Sequence, residues 1–237
     1  MYTFQLERSS SRPQFRALDI LAEKPLTLTR IGVIGDIHCE DEVLSQVLAH
    51  FTAQGTTHNL AVGDVVDGHG DVNRTLALLE DHRVLTISGN HDRWLLENVF
   101  RDDPEATRLQ SLDRRSRALL SKLPTTREFR TPLGELLLCH GLLDNDMAKV
   151  SPDDFGYALD TNDELQTLIR DKRFAFVLNG HTHRPMVRKF GALTLINAGT
   201  LHRRYRQVCT IVDFERAEVE LYDIASDGIQ KTDTTPL

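Results

Sequence analysis

Eight residues of this chain place acid, amide and imidazole side chains at the ends of apolar runs: Asp36 and His38, Asp64, Asn90 and His91, His140, and His181 with His183. A glycine adjoins each group, at Gly35, Gly63, Gly89, Gly141 and Gly180. Carboxylate and amide oxygens mixed with imidazole nitrogens make a ligand set for a borderline or hard divalent cation. Without His91 the set has seven members, more than one first-row ion uses and suited to two ions that share a bridge. A carboxylate is the natural bridge, because its two oxygens can face two cations. One Asp-x-His pair alone would be an ordinary polar turn. Five strand ends bearing the same residue types are a pattern.

The elements that must position these residues follow an α/β rhythm. The run Ile31-Gly32-Val33-Ile34 predicts a strand buried on both faces, with Gly35 permitting a sharp exit. Val43, Leu44, Val47, Leu48 and Phe51 recur at helical spacing and predict a helix over 41–54, stopped by Gly55. Short strands are predicted over 60–62 and 84–88, with a helix over 72–79 between them. Further strands are predicted over 135–139, 174–178 and 193–197. Strands that alternate with helices and end in polar turns predict parallel pairing, with a site at the carboxyl ends.

Two excursions break the rhythm, at about 93–130 and 142–170. The first predicts helices over 94–100 and 109–123. The second of these carries Arg108, Arg114, Arg115 and Arg117, readable as a solvated face or as cations offered to an anionic substrate. The other excursion holds an acidic loop at Asp153-Asp154 and a predicted helix over 163–170. Val208–Phe214 and Glu218–Ile224 alternate and predict a closing hairpin. The polar tail from Ser226 is expected to fray. Tyr2–Leu6 alternates like a strand, and Ser9–Pro13 reads as a loop. No repeat or linker divides the chain, so one domain over 1–237 is expected.

Composition narrows the class. Of 237 residues, 40% are hydrophobic and 27% charged, and 35 acids against 28 bases give a net charge of −7. That balance argues against a general nucleic-acid or anionic-membrane binder. It suits a cluster of acids that holds cations. Three cysteines, Cys39, Cys139 and Cys209, make no disulfide framework and point to a reducing cytoplasm. Cys39 and Cys139 adjoin His38 and His140. Strand neighbours face opposite ways, so both cysteines are read as packing residues. No apolar run approaches the roughly 20 residues of a membrane span, and the first residues lack the order of a signal peptide. A cytoplasmic location is expected.

In order and spacing, Gly35-Asp-Ile-His38, Gly63-Asp64, Gly89-Asn-His-Asp92, His140-Gly141 and Gly180-His-Thr-His183 resemble the five blocks of the calcineurin-like metallophosphoesterases. The resemblance spans about residues 31–200. It implies a two-sheet β-sandwich flanked by helices, with a dinuclear site at the strand-end loops. It also implies that Asp36, His38 and His183 hold one metal, that Asn90, His140 and His181 hold the other, and that Asp64 bridges them. His91 would face the leaving group, with Asp67 orienting it. The cofactors implied are two divalent ions, Mn first, with Fe, Zn, Ni or Co as alternatives. The reaction implied is phosphoester hydrolysis by a metal-activated hydroxide.

The pattern departs from the protein-phosphatase branch at Gly68, where that branch has arginine, and at Asp92, where it has glutamate. The chain therefore looks more like the small prokaryotic phosphodiesterases. A small phosphorylated molecule or nucleotide is the expected substrate, cut as a phosphodiester. A phosphomonoesterase or nucleoside-polyphosphate hydrolase on the same site is the alternative. A non-catalytic scaffold is more remote, since such relatives tend to lose ligands and here every one is present. His50, His58 and His82 are read as surface or packing residues, while His69 and His202 are candidates to line the pocket.

Overall fold

The opening apolar run forms β1 (Arg30–Ile34), and every residue after Arg30 in it is buried. The reason is layered packing. Ile31 and Val33 face a core shared by two sheets, whereas Ile34 faces a core built with helices. A strand between two apolar layers needs no polar face. The computed structural model describes residues 26–99 and 101–237. The Tyr2–Leu6 and Ser9–Pro13 readings, and Phe100 of the first excursion, lie outside those residues.

The chain continues through α1 (Asp41–Ala53), β2 (His58–Ala61), α2 (Val72–Asp81), β3 (Leu85–Thr86), α3 (Asn90–Leu96) and α4 (Arg114–Leu120). Next come β4 (Thr126–Thr131), β5 (Gly134–Cys139), α5 (Tyr157–Asp160), α6 (Asp163–Asp171) and β6 (Phe176–Asn179). It closes with β7 (Met186–Phe190), β8 (Leu193–Asn197), β9 (Val208–Asp213), β10 (Glu218–Ala225) and β11 (Gly228–Pro236).

These strands make two mixed sheets, ordered β11-β10-β9-β1-β2-β3 and β4-β5-β6-β8-β7. The expected parallel pairing holds at the centres, in β1-β2-β3 and β5-β6-β8. Antiparallel strands complete three of the four edges, and β3 forms the fourth. Between the sheets lie Val33, Leu60 and Val212 from one and Leu136, Leu178 and Ile196 from the other. Leu44, Val47 and Phe51 of α1 and Leu76 and Leu79 of α2 cover the outer face of the first sheet. Leu165 and Leu168 of α6 cover the outer face of the second. The result is a β-sandwich flanked by helices.

Several expectations need correction. The predicted helix over 94–100 starts earlier, at Asn90, so α3 begins inside the candidate site. The predicted helix over 109–123 is a 3-10 turn at Leu109–Ser111 followed by α4. Asp113 divides them, because its side chain accepts from Ser116 N and caps the second helix. Strands β4 and β7 were not expected. The tail from Ser226 does not fray: β11 pairs antiparallel with β10 from Gly228 to Pro236. An edge strand takes its order from the backbone ladder and can keep polar side chains; Lys231 adds an ion pair at 3.0 Å to Glu220. Gly35 also serves differently. Its φ is not positive; a Cβ there would collide with the Gly199 carbonyl, so it permits close approach between the sheets.

Arg30 ties β1 to β9 and β10, at 2.7 Å to Asp213 and 2.9 Å to Glu220. Both carboxylates are buried. Burial opposes their charge, yet hydrogen bonds from cations and backbone hold both below their ordinary range. Depressed carboxyls stabilise the fold above the unfolded pKa, and that contribution disappears as pH falls through the folded value. Arg30→Met is expected to cost about 3 kcal/mol in urea unfolding at neutral pH, because it leaves buried charge poorly paired. The deficit should shrink below about pH 4, where carboxyls protonate. A deficit independent of pH would assign Arg30 to packing alone.

Candidate metal centre

All seven expected ligand residues converge between the two sheets. Asp36 and His38 follow β1, Asp64 follows β2, and Asn90 opens α3 after β3. His140 follows β5, and His181 and His183 follow β6. Asp36, His38, Asp64, Asn90 and His140 are almost completely buried. Two groups of ligand atoms form, one from His38, Asp64 and His183 and one from Asp64, His140 and His181, with each set of atoms mutually within 4.8 Å. Asp64 belongs to both.

Strained backbone aims these side chains. Among the described residues eleven non-glycine residues have positive φ, and five are site residues: His38, Asp64, Asp67, His181 and His183. Such conformations cost on the order of 1 kcal/mol each and persist only where the surroundings enforce them. Asp92 is one enforcer. Its buried carboxylate accepts from Val65 N at 2.9 Å, Val66 N at 3.2 Å and Gly89 N at 2.9 Å. It thereby pins the loop after Asp64 to the loop before Asn90. Burial and the Asp64 charge push the Asp92 carboxyl up to about 7. Gly89 and Gly180 have no Cβ because Asp64 and Asp36 oxygens fill that space.

The tautomers follow from the hydrogen bonds. His38 Nδ1 donates to the Asp67 carbonyl at 2.8 Å, and His140 Nδ1 donates to the Val62 carbonyl at 2.8 Å. A carbonyl only accepts, so each Nδ1 carries hydrogen and Nε2 faces the cluster. His38 Nε2 lies 3.1 Å from His183 Nε2. His140 Nε2 lies 2.9 Å from Asn90 Oδ1 and 3.2 Å from Asp64 Oδ2. His181 Nδ1 lies 3.0 Å from the same Asn90 oxygen. Asp36 Oδ2 is buried without a hydrogen-bond partner, 3.2 Å from His183 Nε2.

Protonation divides the cluster. Burial lowers His38 to about 4 and His183 to about 3, so both rings are neutral near pH 7. Burial also raises Asp36 to about 7, with the Asp64 charge adding to it. Burial disfavours charge on Asp64 and His140 too, but their close contact prevails. Asp64 is held below the usual carboxylate range and His140 is drawn up to about 10. A proton on His140 thus supplies positive charge where acceptors converge. A divalent cation on either side of Asp64 would supply it more completely and would satisfy Asp36 Oδ2. The donor set fits two such ions.

His91 stands beside this cluster with its side chain one quarter exposed. Its Nδ1 lies 2.7 Å from Asp67 Oδ2, and its backbone N–H donates to Asp64 Oδ1 at 2.9 Å. Asp67 is fixed in turn by Thr107 N at 2.7 Å and by the Arg101 guanidinium. The expected Asp67–His91 pair is therefore formed. Arg101 and Thr107 were not foreseen, since nothing in the spacing of the first excursion sets them apart.

Of the arginines in the first excursion, Arg115 is turned away from the centre. Arg115 of α4 pairs with Glu80 and Asp81 on α2 instead. His202 does line the site, buried with its ring centroid 4.8 Å from that of His38. His69 is exposed and meets Glu105 at 3.3 Å. The three cysteines are buried and free, and burial pushes each thiol up to about 12.

A family model described as a calcineurin-like phosphoesterase superfamily domain matches residues 29–217. A hypothetical protein of Pyrococcus horikoshii OT3 has a similar structure, with a TM-score of 0.69 at 15% identity over 84% of this chain and 88% of that one. A metallophosphoesterase from Sphaerobacter thermophilus gives 0.64 at 16% identity, over 87% and 88%. The phosphoesterase Yfce from E. coli gives 0.53 at 17% identity, over 87% and 98%. These likenesses concern the fold. No curated protein sequence matches the chain.

Equilibrium dialysis against Mn2+ separates the ligand cluster from its neighbour. Wild-type protein is expected to bind about two ions per chain, as a two-metal site requires. Asp64→Ala should lose affinity at both positions, because both groups share that carboxylate. His91→Ala should retain the wild-type content. Loss of metal in His91→Ala would contradict its place outside the ligand set.

Proposed function

The chain belongs to the calcineurin-like phosphoesterase superfamily and is a metal-dependent phosphoester hydrolase; we propose that it cleaves phosphodiesters of small molecules or nucleotides at a dinuclear site. Asp36, His38 and His183 would hold one ion, Asn90, His140 and His181 the other, and Asp64 both. The observation that carries this reading is the sharing of Asp64 between two ligand groups, with the Asp67–His91 pair alongside. Manganese is the metal proposed first, on the oxygen donors of Asp36, Asp64 and Asn90, and the four imidazoles keep Fe, Zn, Ni or Co as alternatives. A cytoplasmic location remains part of the proposal.

Divalent cations bound there supply charge to the phosphoryl oxygens and lower the pKa of a water to about 7. The chain's own residues do the rest. His91 Nδ1–H donates to Asp67, which leaves Nε2 as the free ring nitrogen. Burial works against protonation of His91, but the Asp67 hydrogen bond and the nearby carboxylates raise its pKa. That shift favours the protonated ring, and its exposed side faces where a proton could pass to a departing oxygen. Asp67 keeps the ring in that orientation. Arg101 and Thr107 keep Asp67 in place, and Trp94 packs against the His91 ring with centroids 5.0 Å apart.

Bis-p-nitrophenyl phosphate and p-nitrophenyl phosphate, assayed with Mn2+ in excess, decide between the ester classes. Diester turnover should dominate. Monoester turnover without diester turnover would replace this reading by a phosphomonoesterase. In the same assay His91→Ala is expected to lower kcat about 10²-fold or more, as loss of a general acid does. Asp67→Asn should lower kcat less, with unchanged metal content.

A further inference from the structure

The segment Arg203-Arg204-Tyr205-Arg206 lies beside the centre, and its charges are already neutralised. Arg203 makes a two-pronged contact with the buried Glu40, at 2.7 and 2.8 Å. Arg204 meets Glu105 of the first excursion at 2.7 Å. Arg206 meets Asp223 of β10 at 2.5 and 3.1 Å. Each carboxylate comes from a different part of the fold, so the segment is tied down on three sides. Tyr205 N donates to the His202 carbonyl at 3.0 Å, which closes the turn.

Tyr205 is the exception in this segment. Its side chain has no hydrogen-bond partner among the described residues, and the residue is 52% exposed. Its ring stands edge-on to His183, centroids 4.5 Å apart at 88°, and 5.5 Å from the ring of His202. An exposed aromatic ring normally invites replacement by a polar residue. Here a rigid frame holds one against His183, a residue of the ligand cluster.

We propose that Tyr205 is a specificity-determining residue whose ring stacks on a planar group carried by the substrate next to its phosphoryl centre, as in a nucleoside phosphate ester. The inference rests on the proposed phosphoesterase site, since the phosphoryl group must sit among the strand-end residues for its substituent to reach past His183. The neighbouring arginines, paired with carboxylates, add no net charge for the anion. The selectivity is therefore for the ring and not for the phosphate. Stacking of a base on an aromatic side chain is sequence-tolerant, because every base presents a π-face.

The test is equilibrium binding of AMP and of ribose 5-phosphate to the Mn-loaded full chain, with phosphate release monitored. Wild-type protein should bind AMP about 10-fold more tightly than ribose 5-phosphate, the difference one stacked base contributes. Tyr205→Phe should keep that ratio. Tyr205→Ala should reduce it to about one while ribose 5-phosphate affinity and metal content stay as in wild type. Equal affinity for the two probes in wild type would overturn the proposal. So would a Tyr205→Ala variant that weakens both probes alike or loses metal, because Tyr205 would then merely brace His183. Diester hydrolysis, assayed on bis-p-nitrophenyl phosphate in parallel, reports separately on the phosphoesterase reading.

Discussion

Everything at the centre of this molecule depends on crowding acceptors around one carboxylate. Asp64 Oδ2 lies 3.2 Å from His140 Nε2 and 4.0 Å from His38 Nε2, and Asn90 and Asp36 oxygens stand nearby. Oxygens and ring lone pairs at such distances repel unless a positive charge lies among them. A folded chain left to itself would relax the crowding by turning side chains away. Here it cannot. The Val62 and Asp67 carbonyls fix two ring orientations, Asp92 fixes two loops, and positive-φ backbone fixes the direction of five side chains. Stability made elsewhere holds an arrangement that a proton on His140 relieves in part and that a cation would relieve more completely.

The sandwich is what makes that possible. Asp36, His38, Asp64 and Asn90 come from the first sheet and its helix, whereas His140, His181 and His183 come from the second. Each ligand group therefore draws on both sheets. Between them lies an apolar core with buried Ile31, Val33, Leu138, Leu178 and Ile196. Close packing transmits small displacements instead of absorbing them. Gly35 against the Gly199 carbonyl, and Gly89 and Gly180 against the carboxylates, allow the loops to approach as closely as the cluster requires. An ion held at this seam would join the sheets as well as serve the chemistry, since binding to the folded state alone adds to stability.

How much of this could be read in the sequence follows from the range of each interaction. The strand ends were legible because one residue type after another recurred beside a glycine, and β1, α1 and β8 followed from hydrophobic period. Those signals are local. Strand β11 was illegible because its order comes from pairing with β10, which polar side chains neither announce nor prevent. The start of α3 at Asn90 was illegible for a related reason. Asp92 in its first turn accepts from backbone groups 26 and 27 residues away, and no helix propensity encodes that. Arg101 reads as one arginine among several until the fold sets it against Asp67, while Arg115, in a richer cluster, meets carboxylates of α2.

These differences sort the site into two kinds of residue. Groups that bind metal must have particular donor atoms, so their identity is constrained and their positions stand out in a sequence. Groups that orient or recognise are constrained only by where they end up. Asp67 needs Thr107 and Arg101 from an excursion about 40 residues on, and Tyr205 needs Glu40, Glu105 and Asp223 from three separate elements. The ligand cluster itself is held by the strand ends, whereas the orientation of His91 through Asp67 depends on the first excursion. On the proposed reading, what the enzyme cuts would be decided away from the motif that reveals it as an enzyme, by side chains such as Tyr205 whose role exists only in the folded chain.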